Sequence, residues 1–112
     1  MNSLQIRLSA WRRKRVQRQY KELFLEVSAI LFRHDPIGVN FEENTDEYDC
    51  EVGTILPRLR HCKSVTDCHR VVYEEFCKWF DPETAGDEAR YAASAEEIWA
   101  LWTKRELAEH SN

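Results

Sequence analysis

An all-α fold is predicted for this chain, a compact four-helix bundle with a long N-terminal helix, and three observations predict it. Apolar residues recur at three-and-four spacing through most of the 112 residues, the period that lines one face of a helix. Three Gly and three Pro are too few for the many turns of a β-sandwich. Four Trp, four Tyr and five Phe supply volume for one shared core, and a chain of this length suits a single domain.

The first helix is expected over roughly residues 3 to 33. Its buried stripe reads Val16, Tyr20, Leu23, Phe24, Val27, Ile30 and Leu31. An earlier stripe, Leu4, Leu8 and Trp11, meets it out of phase, because Arg15 stands where the next apolar residue belongs. A continuous helix would be about 45 Å long, longer than so small a domain is wide, so residues 1–15 are expected to project or fray. Asp35-Pro36 ends the helix, since Pro disfavours helical geometry before it and lacks a donor, and Gly38 permits the reversal that follows.

Asn44 is expected to cap a second helix, with Glu47 reaching back as its capping box. Its buried stripe is Tyr48, Val52, Ile55, Leu56 and Leu59, and Pro57 should kink or shorten its end. Ser64 and Asp67 form another capping box, opening a third helix that buries Val65, Cys68, Val72, Phe76, Trp79 and Phe80. Asp81-Pro82 begins a short turn that Gly86 interrupts. The last helix, from about Asp87 to Glu109, buries Tyr91, Ala95, Ile98, Trp99 and Trp102. "HDPIG" and "FDPETAG" share the same helix-stop punctuation.

The net charge of −4 conceals a division: residues 1–33 hold eight Lys or Arg against two Glu, a balance of +6, and residues 34–112 hold eight against eighteen, a balance of −10. Such asymmetry suggests charged partners or self-association. No stretch approaches the roughly 20 apolar residues that span a bilayer, and no apolar signal region opens the chain. A cytosolic protein is the expectation, with Cys50, Cys62, Cys68 and Cys77 reduced.

Four constellations carry chemistry. The carboxylates Glu42, Glu43, Asp46, Glu47, Asp49 and Glu51 crowd the chain beyond Asp35, too many for capping alone. They read either as a docking surface for a basic partner or as a solvated helix edge; EF-hand spacing is lacking. "HCKSVTDCH" offers His61, Cys62, Cys68 and His69 as zinc ligand types, but the spacing departs from known fingers, and Cys68 belongs to the core stripe. A buried thiol with surface imidazoles is the default there. "WRRKRVQR", residues 11 to 18, is a basic cluster with an aromatic, a pattern used for phosphates, anionic membranes or partner helices. In an acidic chain without a nucleic-acid motif, nucleic-acid binding is a minority reading; folding back onto the chain's own acidic segment, or onto that of a second copy, would satisfy both charge blocks, so a homodimer through the N-terminal helix is a further expectation. His34 beside Asp35, or His69 near Asp67, comes without a nucleophile, an oxyanion loop or phosphate-cradling glycines, so an enzyme is the least favoured class and no cofactor is expected.

"DPIGV" followed by "DEYDCE" resembles a family of small bacterial helical proteins of uncharacterised function, whose signature is Asp-Pro-Ile-Gly and then Asp-Glu-Tyr-Asp-x-Glu. The matching positions are Asp35, Pro36, Ile37, Gly38, Asp46, Glu47, Tyr48, Asp49 and Glu51. The resemblance covers roughly residues 20 to 80 and implies a compact helical fold without assigning an activity. More loosely, the chain is similar in physical character to immunity proteins and antitoxins, which present carboxylates to basic toxins. The expectation is therefore a non-enzymatic protein-binding module using Asp35, Glu42, Glu43, Asp46, Glu47, Asp49 and Glu51, set on a turn fixed by Pro36, Gly38 and Asn44. The alternative is a small zinc- or nucleic-acid-binding regulator.

Overall fold

A computed structural model describes residues 3–38 and 47–110. The described residues are all-α: α1 (Ser3–His34), α2 (Asp49–Leu59), α3 (Val65–Trp79), the one-turn α4 (Pro82–Ala85), a 3-10 turn (Glu88–Tyr91) and α5 (Ala92–His110). The molecule measures 43 × 30 × 28 Å, and α1 accounts for the long dimension. α2 packs on α1 and α3, while α5 closes the bundle against α1 and α3.

Periodicity placed the core. Every residue of the second α1 stripe is buried, from Val16 through Leu31, as are Tyr48, Val52, Ile55, Leu56 and Leu59 of α2. Phe76 of α3 lies at the centre, its ring 5.7 Å from Tyr48, 5.9 Å from Phe80 and 4.9 Å from Tyr91. Arg15 does break the phase of α1, but the helical geometry itself fails later, at Lys21 (φ 17, ψ −91). No Pro or Gly marks that kink. α2 crosses both sides of it: Gly53 meets Arg13 before the kink, and Asp49 meets Ser28 beyond it.

Several boundaries differ from expectation. α2 starts at Asp49, preceded by Tyr48 with no side-chain cap; the proposed cap Asn44 lies outside the described residues, and Glu47 sits in the turn before the helix. The Tyr48 hydroxyl donates to Asp35 beyond the end of α1. Pro57 is accommodated near the end of α2, which stops at Leu59. Ser64 caps α3 as expected, its hydroxyl accepting from the Asp67 N–H at 3.2 Å, while the Asp67 carboxylate accepts from the Lys63 N–H at 2.9 Å. Val65 in that first turn is exposed, and Val71 and Glu75 are buried.

The two Asp-Pro segments share more than punctuation. Asp35 (φ 47) and Asp81 (φ 126) both take positive φ, and each is followed by a glycine at φ 78, Gly38 and Gly86. Asp35 can enter the left-handed helical region more readily than most L-residues, but Asp81 (φ 126, ψ 159) takes an extended positive-φ conformation otherwise confined to glycine and is strained. Asp81 caps α4 by accepting from the Thr84 N–H at 2.7 Å. The Arg90 guanidinium then bridges the two breaks, donating to the carbonyls of Pro36 at 3.0 Å and Ala85 at 3.1 Å. At Gly86 a Cβ would lie 2.6 Å from that guanidinium.

Candidate functional site

Among the described carboxylates between residues 35 and 51, Asp35 and Asp49 bond to side chains of the fold and Glu51 is buried. The Tyr48 hydroxyl donates to Asp35 Oδ1 at 2.6 Å and accepts from the Ile37 N–H at 3.3 Å, so the two halves of the signature are tied to each other. Asp49 accepts a hydrogen bond from Ser28 on α1. Glu51 is buried at 4% exposure, and its Oε2 has no hydrogen-bond partner among the described residues. Burial, with the nearby charges of Asp49 and Glu47, pushes its carboxyl up to about 7. Pro36 is buried and Gly38 exposed. Of the expected acidic surface, Glu42, Glu43 and Asp46 lie outside the described residues, and Glu47 is half-buried. The tyrosine link supports a test: Tyr48→Phe removes both bonds and should lower stability by about 1–3 kcal/mol, read by urea unfolding, with faster amide exchange at Ile37.

The zinc candidates disperse. Cys68 is buried and donates to the Ala95 carbonyl, and burial pushes its thiol up to about 12. The Cys62 thiol, also raised by burial, bonds to the Arg58 carbonyl. His69 Nε2 bonds to the Glu88 carbonyl at 2.6 Å, and His61 is exposed. Among the described residues, no three His, Cys, Asp or Glu side chains gather as a metal group. His34 turns to Glu97 of α5, which also pairs with Arg33 at 2.7 Å. The hydrogen bonds of Arg33 and His34 hold Glu97 at about 2, well below the usual carboxylate range.

The unabsorbed surface is the start of α1. Leu4, Leu8 and Trp11 are 64%, 44% and 55% exposed and lie on one stripe, by their spacing of four and three. Around them stand Arg7, Arg12, Lys14, Arg15 and Arg18, all exposed, with the Arg15 guanidinium 5.5 Å from the Trp11 ring centre. The arm is anchored behind the stripe. There Gly53 lets α2 approach so closely that a Cβ would lie 3.2 Å from Arg13 Cα, and Arg13 donates to Cys50 Sγ at 3.3 Å. Between this arm and the C-terminal ends of α2 and α3 lies a cleft of about 660 Å³, lined by Trp11, Arg12, Arg15, Arg58, Arg60 and Lys78 among others.

The sequence located both stripe and basic cluster, but not Arg58, Arg60 and Lys78, which lie far along the chain and join the cluster only through packing. No family model matches this chain, nor does any curated protein or solved structure. No helix among the described residues is long and apolar enough to cross a membrane.

Proposed function

We propose that this chain is a protein-binding module without catalytic chemistry of its own, and that its docking face is the basic, apolar arm at the start of α1 with the cleft beneath it. The observation that carries this reading is the exposed row Leu4, Leu8 and Trp11 set among cations. Contiguous apolar surface ringed by charge is characteristic of interaction sites, and Trp and Arg are the side chains that most often dominate interface energetics. The matching partner segment is amphipathic and acidic, with apolar side chains over the stripe and carboxylates toward the arginines.

The polarity thus reverses that of the immunity and antitoxin analogy. Asp35 and Asp49 are engaged internally and Glu51 is buried, which weakens the acidic-surface reading for a basic partner at those three positions. A homodimer with arm against arm would bring Arg12, Arg15 and Arg18 of one copy onto those of the other, and such like-charge juxtaposition is costly.

Leu8→Glu and Trp11→Glu test the reading. Both positions are exposed, so the unfolding midpoint should hold within about 0.5 kcal/mol. Affinity for a synthetic helical peptide, leucine on one face and glutamate on the other, should fall at least about tenfold. Unchanged affinity in both variants would remove the arm as the docking face.

A further inference from the structure

The cleft beneath the arm holds more positive charge than its own fold uses. The one carboxylate that lines it among the described residues, Glu75, is buried and accepts from Arg58 at 2.8 Å and Lys78 at 3.1 Å. Arg58 also pairs with Glu74 at 2.7 Å. Arg58 and Lys78 further lie in the last turns of α2 and α3, where cations offset the negative end of the helix dipole. Those two cations are therefore accounted for by the fold.

Arg12, Arg15 and Arg60 are not. None makes an ion pair with a carboxylate among the described residues. The end of α2 offsets part of the charge on Arg60, but Arg12 and Arg15 stand within α1, away from its C-terminus. The Arg15 guanidinium lies over the Trp11 ring, and such stacking limits the orientations of its planar donor fork. Three arginines around one cleft, none paired with a carboxylate among the described residues, suit a dianion with several acceptor oxygens better than a single carboxylate. A phosphoryl group carries about −1.5 to −2 charge at pH 7 and offers three strong acceptors, which guanidinium forks bind in bidentate fashion.

Resting on the protein-binding reading, we infer that the cleft receives a phosphorylated serine or threonine carried by the partner's docking segment, so that phosphorylation of the partner strengthens the complex. A peptide is favoured over a nucleic-acid strand because Leu4 and Leu8 continue the surface beyond Trp11 and offer bases no stacking plane. An amphipathic segment covers the leucines and places its anion in the cleft in one binding mode.

The test compares two copies of the leucine and glutamate peptide, one with serine and one with phosphoserine beside its glutamate face, by calorimetric titration against the intact chain. The phosphopeptide should bind at least about tenfold tighter, and its advantage should shrink below about pH 6, where the phosphate takes up its second proton. The Arg15→Gln/Arg60→Gln double variant should erase the advantage while keeping the wild-type unfolding midpoint. Equal affinity for the two peptides, or an advantage that survives the double variant, would overturn the inference. Tighter binding of oligothymidylate than of the phosphopeptide would overturn it in favour of nucleic acid. If the peptides bind equally and Leu8→Glu weakens both, the docking face stands and the phosphate site alone falls; if neither binds, both readings fall.

Discussion

Replacing Glu51 with Gln should make the protein more stable above pH 7, by on the order of 3 kcal/mol, a rare direction for a change at a buried position. The carboxyl titrates near its ordinary 4.5 in the unfolded chain and at about 7 in the fold. Below pH 4.5 both states hold the proton and the fold bears no penalty. Between 4.5 and 7 the unfolded chain gives it up first, so stability falls as pH rises. Above 7 both are ionised and the fold carries the full cost of a buried anion, roughly 1.4 kcal/mol per unit of pKa difference. Urea unfolding from pH 4.5 to 8 should show this decline in the wild-type chain and a nearly flat profile in Glu51→Gln. Glu97 acts in the opposite sense and in another window: its carboxyl is held at about 2, so its contribution is present above 4.5 and is lost as pH falls toward 2. Identical pH profiles for the wild type and Glu51→Gln above pH 5 would show that water reaches the Glu51 carboxylate.

Phe76→Ala should be the most damaging single change, costing about 3–5 kcal/mol of a total that is about 5–15 kcal/mol in proteins generally. Phe76 is fully buried and its ring touches those of Tyr48, Phe80 and Tyr91. The cavity would loosen Tyr48, which holds the break after α1 through Asp35, and Tyr91, whose hydroxyl donates to the Ala85 carbonyl at 2.5 Å. Both breaks of the chain therefore depend on this ring. The urea midpoint should drop by roughly 2 M for a slope of about 2 kcal/mol/M. Phe76→Leu, which keeps most of the volume, should lose markedly less. A loss below about 1 kcal/mol for Phe76→Ala would mean that the surrounding rings collapse into the space.

The contrast between these two residues explains what was legible in the sequence. Phe76, Tyr48 and the α1 stripe from Val16 to Leu31 announced their burial by type and period together. Glu51 and Glu75 did not, because a carboxylate at an inward register position reads as a helix edge until its neighbours are known; Glu75 proves to be neutralised by Arg58 and Lys78, while Glu51 keeps a backbone hydrogen bond but pairs with no cation among the described residues. The kink at Lys21 left no trace, as neither Pro nor Gly stands there. The Asn44 and Glu47 pattern suggested a helix start, whereas α2 begins at Asp49, beside a Tyr48 to Asp35 bond across thirteen positions that no local pattern announces. At the candidate site, Trp11 and its flanking cations were visible as a local cluster. Arg60 and Lys78 were not, since only the fold brings the ends of α2 and α3 beneath the arm.

Gly53 gives that arm its attitude. With Arg13 Cα so near that an added methyl would crowd backbone, the glycine acts as a fulcrum, and the buried Val16 and Tyr20 hold the lever behind it. A bulkier residue at this one position of α2 would tilt the whole leucine and tryptophan row and change the width of the cleft that Gly53 helps to line. One buried position between two helices thus sets the angle of the exposed row while every residue of that row stays the same.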